Sequence, residues 1–518
     1  MKQTIKFIAL ALALAMLLSL PMGAFAEEER TKLSVMIPLY YSESPNDENT
    51  LEILMEDFTN TDLTFIWAPI NNYEERINMA IASEEMPNAM GVLTIKAPMF
   101  VNAARADMFW DITEMIKDYP NLYEHYNSNM LSNASIDGKL YGLPRARPLT
   151  RDGVIFRKDW AENLGLEIEQ PITLDGLYEI IKAFATQDPD GNGENDTYGL
   201  LMGVGEDGSL AGYMDQILDV AFGGYNGWGL NADGELESTY VTQAHLDTLN
   251  WLKRLYDEGL VNRDFATVLP SQFYELLDRE VAGLYIQTLT DAHERLDTIV
   301  QNVQARTPEL QDMAPIDAKV EIFDTIYQIE ASTGEIRAHT QDGFNGMIVF
   351  PKSSNPTEED VRKVLEFFDK MDSPDGQSII YWGAQGIHWD YVDGVATMTD
   401  DSMLFSREVQ PYWQMFCTNR ETDRSSIQGY VAPMYTKVYS EMESLLPYAV
   451  YNLSVPLLSD TYTENGTYLN KIIHDAEVQY IMGMIDEDGW WAAVDQWLTS
   501  GGAQVTAEYN AHYKKLNP

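Results

Sequence analysis

From residue 33 onward the apolar positions switch between two periods. Residues 33–39 form a short apolar run of strand length, and Leu51, Leu54, Met55 and Phe58 make a helical stripe. Residues 63–68 read as a second strand, a helix is expected around 73–82, and 89–93 read as a third strand. Strand–helix–strand alternation with short links predicts a mostly parallel α/β sheet. Ligands of such sheets collect beyond the carboxyl ends of the strands. Tyr40 and Tyr41 follow the first strand there, Trp67 and Asn71 the second, so Tyr40 and Trp67 are candidate ligand contacts.

Further on, the Leu143-Pro144 corner precedes Arg145 and Arg147, and a strand is expected around 154–156. The two arginines follow that corner directly. They can grip a carboxylate or hydroxyls, or pair with surface acids. Thr173 is placed to cap a helix with Leu177, Ile180, Ile181 and Phe184 on one face. The glycine-rich stretch 222–229 holds Trp228, and a helix from about Thr242 ends at Gly259 with Leu246, Leu249, Leu252 and Tyr256 inward. Another strand is expected at 344–350. It runs into Asn355-Pro-Thr-Glu358, read as cap, first-turn proline and third-position acid, and the following helix has Val361, Val364, Leu365 and Phe368 on one face. His388 and Trp389 close a second glycine-rich stretch, and 412–513 reads as largely helical and aromatic.

One loop has a chemistry of its own. Asp188-Pro-Asp-Gly-Asn-Gly-Glu-Asn-Asp sets side-chain oxygens at Asp188, Asp190 and Asn192, with Asp196 four further on. Gly193 supplies the sharp turn of an EF-hand-type loop, and Glu194 offers a backbone carbonyl. Hard oxygen donors at this spacing suit Ca²⁺ better than Mg²⁺. Position twelve is Gly199 rather than a bidentate Glu, so Asp196 must close the set. The alternative is a polar turn that binds nothing. The loop joins a helix end to a strand at 198–204, which favours a structural cation over a catalytic one.

Composition narrows the function. Lys2, Lys6, the apolar run 7–20 and Ala24-Phe25-Ala26 make residues 1–26 an export signal cleaved after Ala26. No later apolar run is long enough to span a membrane. Cys417 is the one cysteine, so there is no disulfide framework and no cysteine at the cleavage site to take a lipid; a small buried hydrophobe is expected. Removing Lys2 and Lys6 takes the formal charge from −47 to −49. So acidic a chain excludes nucleic acid as a natural partner and disfavours anionic lipid. No nucleophile, zinc or phosphate-loop motif is present, and with 81 acids any carboxylate pair discriminates nothing. His388 reads as a pocket-edge or satisfied structural histidine rather than a base. The positive signal is aromatic: 11 Trp and 29 Tyr exceed the needs of an ordinary core. Their flat faces stack on sugar rings while the polar tip bonds outward. Tyr40, Trp67, Trp228 and Trp389 are singled out because each lies near an expected strand end or a glycine-rich loop.

Residues 82–87, 138–144, 156–160, the 188–199 loop, 344–353 with its helix, 383–389 and 501–513 together resemble family 1 extracellular solute-binding proteins of ABC importers. The similarity is to the subgroup of LipO-like lipoproteins and alginate-oligosaccharide-binding proteins. It implies two α/β lobes of discontinuous chain closing on ligand by a hinge, with 27–150 and 345–398 as lobe 1 and 151–344 and 399–518 as lobe 2. It also implies a structural Ca²⁺ in the 188–199 loop and delivery of ligand, by a monomer, to membrane permease subunits. Two departures stand out: the anchoring cysteine usual in Gram-positive members is missing, and Thr197 replaces an acid of the alginate-binding loops. The function expected is capture of an oligosaccharide. Peptide or lipid-linked ligand capture by the same cleft, and an extracellular carbohydrate-active enzyme, are the alternatives.

Overall fold

The computed structural model describes residues 30–517 except 42, 47–48, 400–401, 418–424 and 428. The expected export signal lies outside the described residues. The strands that matter are β1 (Thr31–Leu39), β2 (Thr61–Pro69), β3 (Ala89–Val92), β4 (Gly142–Ala146), β5 (Asp152–Arg157), β6 (Tyr198–Leu201), β7 (Ala282–Thr288), β8 (Phe323–Ile326) and β9 (Phe344–Val349).

They form two sheets. The five-stranded one has the order β2-β1-β3-β9-β4, with β1 parallel to β2 and β3. β9 arrives from the other sheet and runs antiparallel to both its neighbours, β3 and β4, so the sheet is mostly parallel, as expected, with this one strand reversed. The four-stranded sheet has the order β8-β5-β7-β6, with β5 antiparallel to both its neighbours and β7 parallel to β6.

Each sheet has its own core. Val35, Ile37, Met90, Leu143 and Ile348 belong to the first. In the second, Val154 and Phe156 of β5 face one apolar cluster and Ile155 another, because successive side chains of a strand point to opposite faces. Helices cover both faces, so β5 is buried along its whole length. This is the two-lobed α/β architecture expected, each lobe built from separated stretches of chain.

Local signals account for most helix ends. Thr173 Oγ1 accepts from Gly176 N at 3.1 Å, and Leu177, Ile180, Ile181 and Phe184 are buried. Thr242 caps Gln243–Glu258, and Gly259 ends it at φ 75°, where a side chain is disfavoured. Asn355 is not the cap expected. Thr357 is, in a capping box with Asp360, while buried Asn355 donates to Asn88 O at 2.8 Å and Pro351 O at 2.9 Å and ties the entry of β3 to the exit of β9. Residues 405–417, assigned with everything after 399 to lobe 2 by sequence, pack into the first core through Val409, Tyr412, Phe416 and Cys417. Tyr412 Oη donates to Glu52 Oε2 at 3.0 Å and its ring meets Phe65 edge-on at 4.9 Å, which explains the attachment.

A candidate ligand-binding cleft between the sheets

Between the two sheets lies a cavity of about 460 Å³, within the size range of small-ligand sites. One wall is residues 93–96, which leave the carboxyl end of β3, and 344–346 at the start of β9. The other is Arg151, Tyr213, Gln216 and Asn226, and the crossing segment 339–342 lies between them. Strand ends on one side and a chain crossing on the other place ligand where open α/β sheets place it.

Tyr213 is the exposed aromatic of this cleft, at 43% exposure. It sits in the left-handed region at φ 58°, directly after Gly212 at φ 74°, and the helix Met214–Ala221 starts behind it. A Cβ on Gly212 would lie 2.1 Å from Ile286 O, so only glycine permits this approach to β7. A non-glycine residue in this region costs about 1–2 kcal/mol, and strain of this kind gathers at functional positions. The turn holds the Tyr213 ring over His339, centroids 5.5 Å apart. The surrounding protein, then the nearby Asp152 and Asp342 carboxylates, push its phenol up, so it stays an O–H donor.

His339 is fixed from behind. Its Nδ1 lies 3.0 Å from Asp152 Oδ2, and its Nε2 3.3 Å from Gln216 Oε1. Asp152 Oδ1 also accepts from Gln341 Nε2 at 2.8 Å and Thr288 Oγ1 at 3.2 Å. Asn226 Nδ2 donates to Thr340 O at 2.7 Å and to Val450 O at 2.9 Å, pinning the crossing segment. Lys96 Nζ donates to Ser135 O at 2.6 Å. Burial brings its ammonium down to about 8, against the pull of Asp342 and Asp137. Asp342 is raised by the protein packed around it, with Lys96 and His339 opposing.

Of the six ligand residues expected from sequence, Arg147 lines this cavity, and its Nη1 donates to Ala146 O at 2.7 Å. Arg145 is 1% exposed and braces β9 and the 405–417 segment through Asn345 O at 3.1 Å and Gln414 Oε1 at 2.5 Å. Tyr40 is exposed at the end of β1 without lining the cavity. Trp67 stacks on Phe65 at 5.5 Å and meets Tyr412 edge-on at 5.1 Å. Trp228 is half-buried edge-on to Tyr509 at 5.0 Å, and it is Asn226, two residues earlier, that reaches the cleft. Trp389 is buried, its Nε1 donating to Gly383 O at 3.1 Å. These indoles fill gaps between elements, which is what large rings do most often. His388 is a structural histidine, its Nδ1 accepting from Ala384 N at 3.0 Å. Tyr213 has no periodic signal, and its sequence mark is the preceding Gly212 at the foot of a helix.

The 188–199 loop stands apart from the cleft. Asp188, Gly191 and Gly193 adopt positive φ, curling the backbone around the side chains. Gly193 N donates to Asp188 Oδ2 at 3.1 Å and Glu194 N to Asn192 Oδ1 at 2.7 Å. Asn192 Nδ2 stands between Asp190 Oδ2, at 2.9 Å, and Asp196 Oδ1, at 3.3 Å. Among the described residues no three acidic, histidine or cysteine side chains converge as a metal-binding group. The donor set nevertheless fits a hard cation. Asp188 Oδ1 is buried without a hydrogen-bond partner. The Asp190 carboxyl is raised by burial and by the Asp188 and Asp196 carboxylates, a negative excess that a cation relieves.

Comparison with known proteins places this architecture. No protein-family model matches the chain. Lipoprotein LipO of Bacillus subtilis is 33% identical over 500 residues, covering 94% of this chain and 93% of that one. The polygalacturonan/rhamnogalacturonan-binding protein YtcQ of the same organism is 33% identical over 499 residues, covering 95% and 93%. Among solved structures, an HMO-binding solute-binding protein associated with an ABC transporter of Bifidobacterium longum infantis superposes with TM-score 0.68 at 16% identity, over 93% of this chain and 98% of that one. The alginate-binding protein AlgQ2 without calcium ion does so with TM-score 0.61 at 18% identity, over 94% and 98%. At such identities the superpositions speak for the fold. The two-lobed fold and the full-length similarity to LipO and YtcQ together mean that this chain belongs to the LipO-like extracellular solute-binding proteins of ABC importers.

Proposed function

We propose that the protein is the exported solute-binding component of an ABC importer and captures an oligosaccharide between its lobes for delivery to the permease. The observation that supports this most is the cleft itself. Tyr213 offers a ring face beside His339, surrounded by amide and hydroxyl groups from both walls, the combination that sugar rings need. The naming of YtcQ as a polygalacturonan/rhamnogalacturonan-binding protein agrees with it. In this reading 27–150, 345–398 and 405–417 move as one lobe against the rest, the protein acts as a monomer, and the mature chain starts at Glu27 without an acyl chain. Ligand contacting both walls favours the closed form by its differential affinity alone. Titration calorimetry against oligosaccharide and peptide panels, with small-angle scattering at saturation, is the test. Sugar binding with a reduced radius of gyration is expected. Binding of peptides alone, or an unchanged radius at saturation, overturns capture or closure respectively.

The same reading includes one structural Ca²⁺ held by the Asp188, Asp190, Asn192 and Asp196 side chains and the Glu194 carbonyl. It serves the junction of the Leu174–Thr186 helix with β6 and touches no ligand. A cation bound to the folded state alone stabilises by RT ln(1 + [L]/Kd), about 2.7 kcal/mol at a hundredfold excess over Kd. The melting temperature is therefore expected to rise with free Ca²⁺ and to fall with chelator, and Asp190→Asn should blunt the response. A melting temperature indifferent to both, in protein free of bound metal, removes the site.

A further inference from the structure

Residues 449–460 form a strap that belongs to one lobe and reaches the other. Ala449–Val450 pair in parallel with Ala338–His339. Leu453 N donates to Trp228 O at 3.1 Å, and Asn452 and Val455 line the cleft. The far end is tied to the last helix, Ala503–Leu516. Leu458 N donates to His512 Nδ1 at 2.9 Å, and Glu508 Oε2 accepts from Ser459 Oγ at 2.5 Å and from Thr461 N at 3.0 Å. All of these partners lie in the second lobe.

Two contacts leave the strap for the first lobe. Leu457 is buried in the second core, whereas its neighbour Leu458, 9% exposed, is buried in the first. Two residues further on, Asp460 Oδ1 accepts from Arg105 Nη1 at 3.2 Å, while Arg105 Nε donates to Asp137 Oδ2 at 2.9 Å within the first lobe. Asp137 thus orients the guanidinium whose other edge meets Asp460, a planar fork serving one carboxylate on each lobe. The chain passes between the lobes at 147–151 and 340–343, far from these residues in sequence, so connectivity alone does not require either contact.

We propose that Leu458 and the Arg105–Asp460 pair form a latch beside the cleft, which populates the closed arrangement of the lobes without ligand while Asn452 and Val455 of the same strap cover the cavity. This rests on the proposed movement of one lobe against the other and not on what the cleft binds. Leu458 carries most of the latch. Burying such a side chain shifts an equilibrium by roughly tenfold or more, whereas an exposed ion pair, with Asp460 80% open to water, shifts it by about a few-fold at most. A ligand that needs both walls then meets a larger binding-competent population.

The test reads lobe separation on the purified protein with no sugar added. Nitroxide labels on Lys117→Cys in the first lobe and Lys471→Cys in the second report the distance by double electron–electron resonance. Both positions are exposed, and Cys417 is buried away from the label. A mainly short separation is expected. The ratio of long to short separations should rise roughly tenfold or more in Leu458→Ala and about a few-fold in Asp460→Lys. High salt should reproduce the Asp460→Lys shift and leave that of Leu458→Ala in place, because only the ion pair is screened. If Leu458→Ala fails to fold, Asp460→Lys still decides, since that side chain lies at the surface. A long separation in the protein with both latch contacts intact, or a ratio that neither variant changes, overturns the latch. No ligand enters the experiment, so that result leaves oligosaccharide capture standing, and a failed sugar titration leaves the latch standing.

Discussion

Replacing His245 by alanine should destabilise the protein by about 3–5 kcal/mol, the loss expected when a buried ion pair is broken by removing one partner. His245 is fully buried between three helices. Its Nδ1 lies 2.9 Å from Asp219 Oδ2 and its Nε2 3.3 Å from Glu477 Oε1, with both carboxylates buried too. Burial by itself would lower this imidazole, but the Asp219 carboxylate, then Glu477, hold it well above its ordinary value, so it is the cation between two anions. Without it, Asp219 and Glu477 confront each other in a dry interior. Adding Asp219→Asn to His245→Ala should return part of the loss, and chemical denaturation of the three proteins measures it. A loss below about 1 kcal/mol for His245→Ala would mean that the cluster is solvated.

Asp215, one turn before Asp219 on the same helix, makes stability depend on pH. Burial, then the Glu477 and Asp219 charges, push its carboxyl up to about 8 from a model-peptide value of 3.8. A group raised on folding contributes stability that is complete below its unfolded value and is lost as pH rises through the folded one. Both Asp215 and His245 are raised, so both make the protein less stable with rising pH, Asp215 between roughly 4 and 8 and His245 above about 6.5. Asp215→Asn stays neutral and lacks the first loss. Its melting temperature should therefore gain on the unmodified protein steadily from pH 5 to 8, and a difference that stays constant across that range would show that Asp215 keeps no proton in the folded state.

The second large effect belongs to the cleft. Tyr213→Ala should weaken oligosaccharide binding by about 1–3 kcal/mol, the scale of a lost aromatic stacking partner. The unliganded melting temperature should hardly move, because the ring is 43% exposed and alanine meets the same backbone strain that tyrosine already bears. Tyr213→Phe keeps the ring face and loses the O–H, so it should fall between the two. Normal binding by Tyr213→Ala would take the ring out of the site.

Periodicity along the chain was enough to find the first three strands, the Thr173 and Thr242 helices and the return of β9, and the spacing of oxygens and glycines to find the curled 188–199 loop, because each rests on neighbours a few residues apart. The buried Thr173 stripe and the Gly259 stop are decided within one or two turns of chain. Tertiary structure decided which aromatics stay free. Trp67, Trp228 and Trp389 carry the same local marks as a ligand platform, yet Tyr412, Tyr509 and Gly383, distant in sequence or on the far side of a turn, occupy their faces or edges. Tyr213 stays exposed because Gly212 lets the chain press against Ile286 O, an approach written in no local pattern. The cluster of Asp219, His245 and Glu477 brings together three helices across more than two hundred residues, and the cations lining the cleft, Lys96, Arg147 and Arg151, come from two separate connections. Packing and pairing at long range depend on where whole elements meet, so only the folded chain shows which side chains they leave for ligand.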